Sequence, residues 1–182
     1  YEHDEGRNAK SGRAEPSARQ GETRPSESSK PAPTAFRSQL MNVFGRYAAI
    51  TTALVSSDPA AVIPAARETE AALDKVSASS LGTEMRTHWA ELLQEMRKSL
   101  DAMRRTRDLE RQRAFYSGLS NTLHQALQHF GVTEKTVYWQ YCPMAFNDRG
   151  AYWLSAVKEI RNPYFGDKML KCGVVKEVMN NQ

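Results

Sequence analysis

Residues 85–103 read MRTHWAELLQEMRKSLDAM, and their large apolar side chains fall at Met85, Trp89, Leu92/Leu93, Met96, Leu100 and Met103. Steps of three and four residues place that whole set on one helical face and leave the charges on the other. A helix of this kind is stable only when its apolar face is covered, so further helices are expected on either side in the chain.

They are legible in both directions. Upstream, Leu40, Val43/Phe44, Tyr47, Ile50/Thr51 and Leu54 keep the same step from Phe36 onward. Ser57-Asp58-Pro59 then stops one helix and starts another, with Asp58 as the cap and Pro59 where its missing N–H costs nothing. The second helix carries Val62, Ala66, Thr69, Leu73 and Val76 inward, and Pro64 is expected to disturb its first turns. Residues 77–83 read as a loop. Downstream, Asp108 caps a fourth helix with Phe115, Leu119, Leu123, Ala126/Leu127 and Phe130 inward and Gly131 as its left-handed terminator. Four helices joined by short links predict a mainly α fold: an antiparallel up-and-down four-helix bundle. No internal repeat of fixed period is present.

The two ends of the chain differ from this middle. Residues 1–33 contain five apolar side chains, none of them Leu, Ile, Val, Met or Phe, while Gly, Pro and Ser supply twelve positions. Such a segment buries too little surface to offset its ordering entropy, so 1–35 is read as a disordered tether. The chain starts at Tyr1 rather than Met, so a processed amino terminus is expected, with a membrane tether upstream as one arrangement. After Gly131 the composition turns aromatic: eight of the sixteen aromatic residues lie between Tyr138 and Phe165. Residues 137–142 are β-prone, 147–150 and 162–166 are turn-like, and 169–175 has the makings of a short strand. Residues 132–182 are therefore expected as a small aromatic-rich C-terminal cap, with short strands or irregular structure, packed on the 36–131 bundle as one domain.

Length, charge and cysteine content exclude several classes. The 182 residues carry a net charge of +4 and two cysteines, too few for a disulfide framework, and no CxxC marks a zinc ribbon. No apolar run approaches the roughly 20 residues that span a bilayer. The basicity is local: seven bases (Arg97, Lys98, Arg104, Arg105, Arg107, Arg111, Arg113) and three acids fall between Arg97 and Arg113. Cations at a helix C-terminus oppose the dipole, and no zinc-finger, helix-turn-helix or glycine–aromatic pattern accompanies them, so no nucleic acid is expected as a partner. HExxH, P-loop and GxSxG patterns are absent, and the chain is not expected to be an enzyme.

Sulfur forms two short groups, Cys142-Pro143-Met144 and Met169-Leu170-Lys171-Cys172. On an extended segment Cys142 and Met144 project to one face. Thiolate and thioether are soft donors that favour Cu(I) or Ag(I) over Mg or Ca, and Pro143 stiffens the backbone between two of them. Two other readings stand beside this one. Cys142 and Cys172 form a disulfide in an oxidising compartment, worth about 3–4 kcal/mol for a loop of this length, or both are small buried hydrophobes with Met144 and Met169 filling gaps.

The segments Tyr141-Cys142-Pro143-Met144-Ala145, Gly150-Ala151-Tyr152-Trp153-Leu154-Ser155, Ile160-Arg161-Asn162-Pro163-Tyr164-Phe165-Gly166 and Met169-Leu170-Lys171-Cys172-Gly173 together resemble a bacterial domain-of-unknown-function family (number 3347). The resemblance spans about residues 36–175 and is most specific in the C-terminal third. Members of that family occur alone or appended to periplasmic adaptor subunits of heavy-metal efflux systems. The resemblance thus implies a periplasmic or exported location and a link to copper or silver handling. The expected site is Cys142, Met144, Met169 and Cys172 around Cu(I) or Ag(I), with Trp139, Tyr141, Trp153, Tyr164 and Phe165 as a dry surround, no organic cofactor, and an efflux adaptor as partner. The alternative is a metal-free interaction module, closed by a Cys142–Cys172 disulfide, that docks on an efflux or envelope partner.

The histidines are expected to be structural. His124 and His129 lie about 140° apart around a helix and cannot chelate one ion together. His88 and Glu91 share a face without the Glu-x-x-His order of di-iron bundles. His124 remains a fourth ligand only where its helix abuts the Cys-Pro-Met segment.

Overall fold

The computed structural model describes residues 30–181. Four long helices come first: α1 (Thr34–Val55), α2 (Pro59–Asp74), α3 (Thr83–Arg104) and α4 (Leu109–Phe130). Three strands follow, β1 (Val137–Cys142), β2 (Ala151–Ser155) and β3 (Val174–Met179), forming an antiparallel sheet in the order β2-β1-β3. The protein is mainly α, as its periodicity predicts, and among the described residues no helix is long and apolar enough to cross a membrane.

Contacts at the two tips define the up-and-down course. At one tip, Phe36 near the start of α1 meets Trp89 of α3 edge-on at 5.1 Å and Phe130 at the end of α4 at 4.9 Å. At the other tip, the buried Gln112 side chain donates to the carbonyls of Pro59 (3.0 Å) and Thr106 (2.9 Å), which joins the starts of α2 and α4 across the α3–α4 link. Alternate helix ends therefore meet at each tip. The predicted apolar stripes are the buried ones, from Phe36, Leu40 and Tyr47 of α1 to Leu119, Leu123 and Phe130 of α4. Thr51, Val76, Met85 and Leu93 sit at the margins of their stripes, only partly buried, and on α4 the stripe is displaced by one: Tyr116 is fully buried and Phe115 only partly, because it is phased on Tyr116, Leu119 and Leu123.

Both predicted caps form. Asp58 accepts from the Ala61 N–H at 3.0 Å and Asp108 from the Arg111 N–H at 3.1 Å. Replacing Asp58 with alanine is expected to cost about 1 kcal/mol of unfolding free energy, read as a lower urea midpoint with unchanged slope. Pro64 leaves no break: α2 runs continuously from Pro59 to Asp74. The carbonyl that loses its partner belongs to Ala60, an exposed residue, so the missing N–H falls at the surface and not in the core. At the end of α4, Gly131 donates to the Leu127 carbonyl at 2.9 Å with φ +93° and ψ 158°, a region open essentially to glycine alone.

The boundary expected at residue 35 moves. Ala32 is buried and its N–H donates to the Phe130 carbonyl at 3.1 Å, while Arg37 donates to the Ala32 carbonyl at 2.9 Å. Residues 30–35 thus belong to the folded unit because they cover the aromatic tip. The remainder of the expected tether, 1–29, lies outside the described residues.

β1 and β2 are covered on both faces, while β3 leaves Val174 and Val178 exposed. On one face, Trp139 stacks on His124 of α4 at 3.9 Å, and the same imidazole meets the Glu177 carboxylate at 2.8 Å. On the other, residues 156–173 lie across it: Gln140 donates to the carbonyls of Val157 and Lys158, both at 3.1 Å. The short strand expected at 169–175 begins only at Val174, since Met169 to Cys172 forms a turn. The outer edge of β2 faces the bundle, where the Leu154 N–H donates to the Tyr47 hydroxyl at 3.1 Å and the Tyr152 carbonyl accepts from Tyr164. Two phenols thereby close an edge that would otherwise present unpaired backbone.

Those phenols belong to a buried network. The Tyr47 hydroxyl donates to the Tyr116 hydroxyl at 2.8 Å and lies 2.6 Å from Ser120 Oγ, and the Tyr47 and Tyr116 rings stack at 5.1 Å. Burial pushes Tyr47 up to about 12 and raises Tyr116 and Tyr164 well above the usual phenol value, so each stays a neutral donor and acceptor at physiological pH.

Candidate metal centre

Cys142 ends β1 and Cys172 closes the turn before β3, and their Sγ atoms lie 3.5 Å apart. Both are free thiols; Cys142 is fully buried and Cys172 half-buried, so the pair has one face toward solvent. Burial and the neighbouring Cys142 thiol push the Cys172 thiol above its ordinary value, and it is protonated at neutral pH.

Three features bring together two cysteines thirty residues apart. Asn162, fully buried, donates to the Cys172 carbonyl at 2.8 Å, receives the Tyr164 N–H on its Oδ1 at 2.8 Å, and gives its own N–H to the Leu170 carbonyl at 2.8 Å. Cys172 donates its N–H to the Met169 carbonyl at 3.1 Å, which tightens the turn. Gly173, at φ +145°, runs so close to the strands that a Cβ there would sit 3.0 Å from Trp153 Cη2 and from the Tyr141 carbonyl. In the sequence Asn162 reads only as a turn former. Its Asn-Pro dipeptide was the available signal, but the carbonyls it would bind are not visible in a linear text.

The other predicted site residues separate. Met169 shares the Cys172 turn and is half-buried. β1 ends at Cys142 and Pro143–Met144 form a turn, so the same-face argument from an extended segment does not apply, and Met144 is exposed. Trp153 and Tyr164, 6.0 Å apart between ring centroids, lie on the Cys142 side of the sheet. Strand alternation puts Trp139 and Tyr141 on the opposite face, where Trp139 and Tyr152 stack at 4.9 Å, so these two do not surround the thiols. Phe165 packs partly buried beside Tyr164 in the 162–166 turn. His124 is engaged by Trp139 and Glu177 on that opposite face, which removes it as a fourth ligand. Among the described residues no group of three or more His, Cys, Asp or Glu side chains is gathered for a metal ion.

The basic segment is mostly paired. Arg97 meets Asp74 at 2.7 Å, Arg104 meets Glu70 at 3.1 Å and Asp101 at 3.0 Å, and Arg105 meets Asp101 at 2.8 Å. Arg113 is drawn inside, where Nε donates to the Pro163 carbonyl at 2.9 Å and Nη2 to the Leu54 carbonyl at 3.3 Å and to Ser57 Oγ at 3.2 Å. It ties the C-terminus of α1 to the turn beside Asn162.

The imidazoles of His88 and His129 face each other at the Phe130 tip, 4.5 Å between ring centroids. Partial burial and the facing His88 hold His129 below the ordinary imidazole value of 6.5, with Glu84 opposing the effect. The folded state therefore binds this proton less readily than the unfolded chain. Stability is full above pH 6.5 and falls as pH drops from there through the lower folded value. Urea titrations in a chelating buffer between pH 8 and pH 5 are expected to show that decline, with a shallower slope in His129→Gln.

A four-helix bundle capped by a small antiparallel sheet, with a thiol pair under that sheet, is the class these elements define. The family described as "Protein of unknown function (DUF3347)" matches residues 43–135, just over half of the chain, and the protein belongs to that family. The match covers the C-terminal part of α1, all of α2 to α4 and most of the link to β1, and stops before Cys142. No curated protein and no solved structure matches the chain.

Proposed function

We propose that this protein binds a soft monovalent metal ion, Cu(I) or Ag(I), through Cys142 and Cys172, and presents or sequesters it in the cell envelope for a heavy-metal efflux system. The 3.5 Å separation of the two sulfurs supports this reading most directly. Metal–thiolate bonds of about 2.3 Å at a tetrahedral angle set two sulfurs about 3.8 Å apart, so a small side-chain rotation suffices. Two thiolates and no imidazole form a soft donor set. Met169, in the same turn as Cys172, and Met144, exposed beyond Cys142, are the thioethers that complete the shell. Because Cys172 is protonated at neutral pH, loading releases a proton and apparent affinity rises with pH. The envelope location and the efflux adaptor as partner rest on the family resemblance.

Anaerobic titration of the reduced protein with Cu(I) against a competing chelator tests the reading. One ion per chain is expected. Cys142→Ser and Cys172→Ser should each weaken binding by at least the roughly 10–100-fold that losing even an outer-shell partner costs. Methionine variants should show smaller losses. Cu(I) affinity unchanged in both cysteine variants would overturn it.

The same separation favours a second reading, a metal-free module closed by a disulfide, since the sulfurs need to approach to only about 2.05 Å. Thiol counts distinguish the two. A bond that persists under mild reductant and excludes Cu(I) belongs to the interaction module; two titratable thiols that vanish on Cu(I) addition belong to the metal site.

A further inference from the structure

His88, on the second turn of α3, and His129, on the last turn of α4, come from adjacent helices and meet with ring centroids 4.5 Å apart and planes at 65°. Both reach solvent, His129 more than His88. Phe130 lies under them, 4.8 Å from the His129 ring and 6.2 Å from the His88 ring, and its complete burial makes it a fixed floor. Glu84 and Glu91 stand four residues before and three after His88, on the same face of α3. Glu91 Oε2 is 3.9 Å from His88 Nδ1, near enough to orient the ring electrostatically and too far for a hydrogen bond.

We propose that His88 and His129 form a two-imidazole site for a borderline divalent metal ion of the Zn2+ or Ni2+ kind, with the Glu84 and Glu91 carboxylates on the same helix face but not gathered round the pair. The centroid separation matches that of two imidazoles bound cis to one ion. A metal–nitrogen bond of about 2.0–2.1 Å puts each ring centroid about 3.2 Å from the ion, and angles of 90–110° then separate the centroids by about 4.5–5.2 Å. The rings stand at the lower end of that range without movement of either helix. Two neutral imidazoles with carboxylate oxygens suit zinc and nickel, whereas the thiol pair suits softer ions. The ion's remaining positions fall to a carboxylate swung inward and to water, since the pair alone supplies two donors.

The site is independent of the thiol pair. Cys142 lies at the far end of β1, a strand of six residues that starts near this tip and extends about 20 Å.

Calorimetric titration of the reduced full chain with Ni2+ tests the proposal. His3, which lies outside the described residues, is replaced by alanine in every sample so that its imidazole does not contribute. One equivalent is expected to bind, with at least a ten-fold weaker affinity in His88→Ala or His129→Ala and no change in His124→Ala or Cys172→Ser. Because the ion bridges two helices only in the folded state, saturating Ni2+ should raise the thermal midpoint by about 2–5 °C, and either histidine variant should abolish that shift. Circular dichroism confirms that these surface variants remain folded. Ni2+ binding that survives both histidine variants, or that disappears in Cys172→Ser, overturns the assignment.

Discussion

Replacing Trp153 with alanine is expected to remove about 3–5 kcal/mol of unfolding free energy, the largest loss of any single truncation in the sheet. The side chain is almost completely buried on β2, with Tyr164 against one side and Gly173 against its Cη2 edge. Surrounding atoms cannot collapse into the space, because Gly173 is held by the adjoining Cys172 turn and that turn by Asn162. With a urea slope of about 1–3 kcal/mol per molar, the midpoint should fall by roughly 2 M. The same change should loosen the turn that carries Cys172 and raise its reactivity toward a thiol reagent. Trp153→Phe, which keeps most of the apolar volume, should recover much of the stability.

Arg113→Met is expected to cost about 2–4 kcal/mol. Methionine preserves the length and the apolar stem but leaves the Leu54 and Pro163 carbonyls without their donor, at about 1–3 kcal/mol for each buried acceptor. The partner on the other side, Glu110, is largely exposed, so its ion pair contributes little to the total. Arg105→Ala is the matched control: that arginine belongs to the same basic segment, yet its pair with Asp101 is exposed, and its loss should shift stability by no more than about 0.5 kcal/mol. Lysine at position 113 should rescue only in part, because one ammonium cannot reach carbonyls on two different elements.

The contrast between these two arginines shows what the linear text carries. Helical periodicity depends only on neighbours three and four residues apart, so the stripes from Phe36 to Phe130 were readable, as were the Asp58 and Asp108 caps, whose partners lie three residues on. Charge counting, by contrast, lumped Arg113 with Arg105, and nothing local marks that one is drawn under a turn fifty residues away. Pro64 failed to break α2 because its cost depends on whether the orphaned carbonyl meets water, which is a property of the assembled surface.

The candidate site divides in the same way. The two cysteines were found because few residue types carry soft donors, while their adjacency depends on Asn162, Gly173 and the β1–β2 pairing. Trp139 and Tyr141, expected around the thiols, face away from Cys142 because side chains alternate along β1. The facing of His88 and His129 was equally hidden, forty-one positions apart in the chain and adjacent only once α3 and α4 fold back on each other.

The hydrogen bond from the Ala32 N–H to the Phe130 carbonyl anchors the incoming polypeptide at the aromatic tip. Polypeptide that precedes residue 30 is thereby attached at the imidazole pole of the molecule, while Asn162 and the thiols sit toward the opposite pole, where Arg113 grips the end of α1. The two poles thus differ: chain entry and the imidazole pair share one, and the thiol pair lies toward the other.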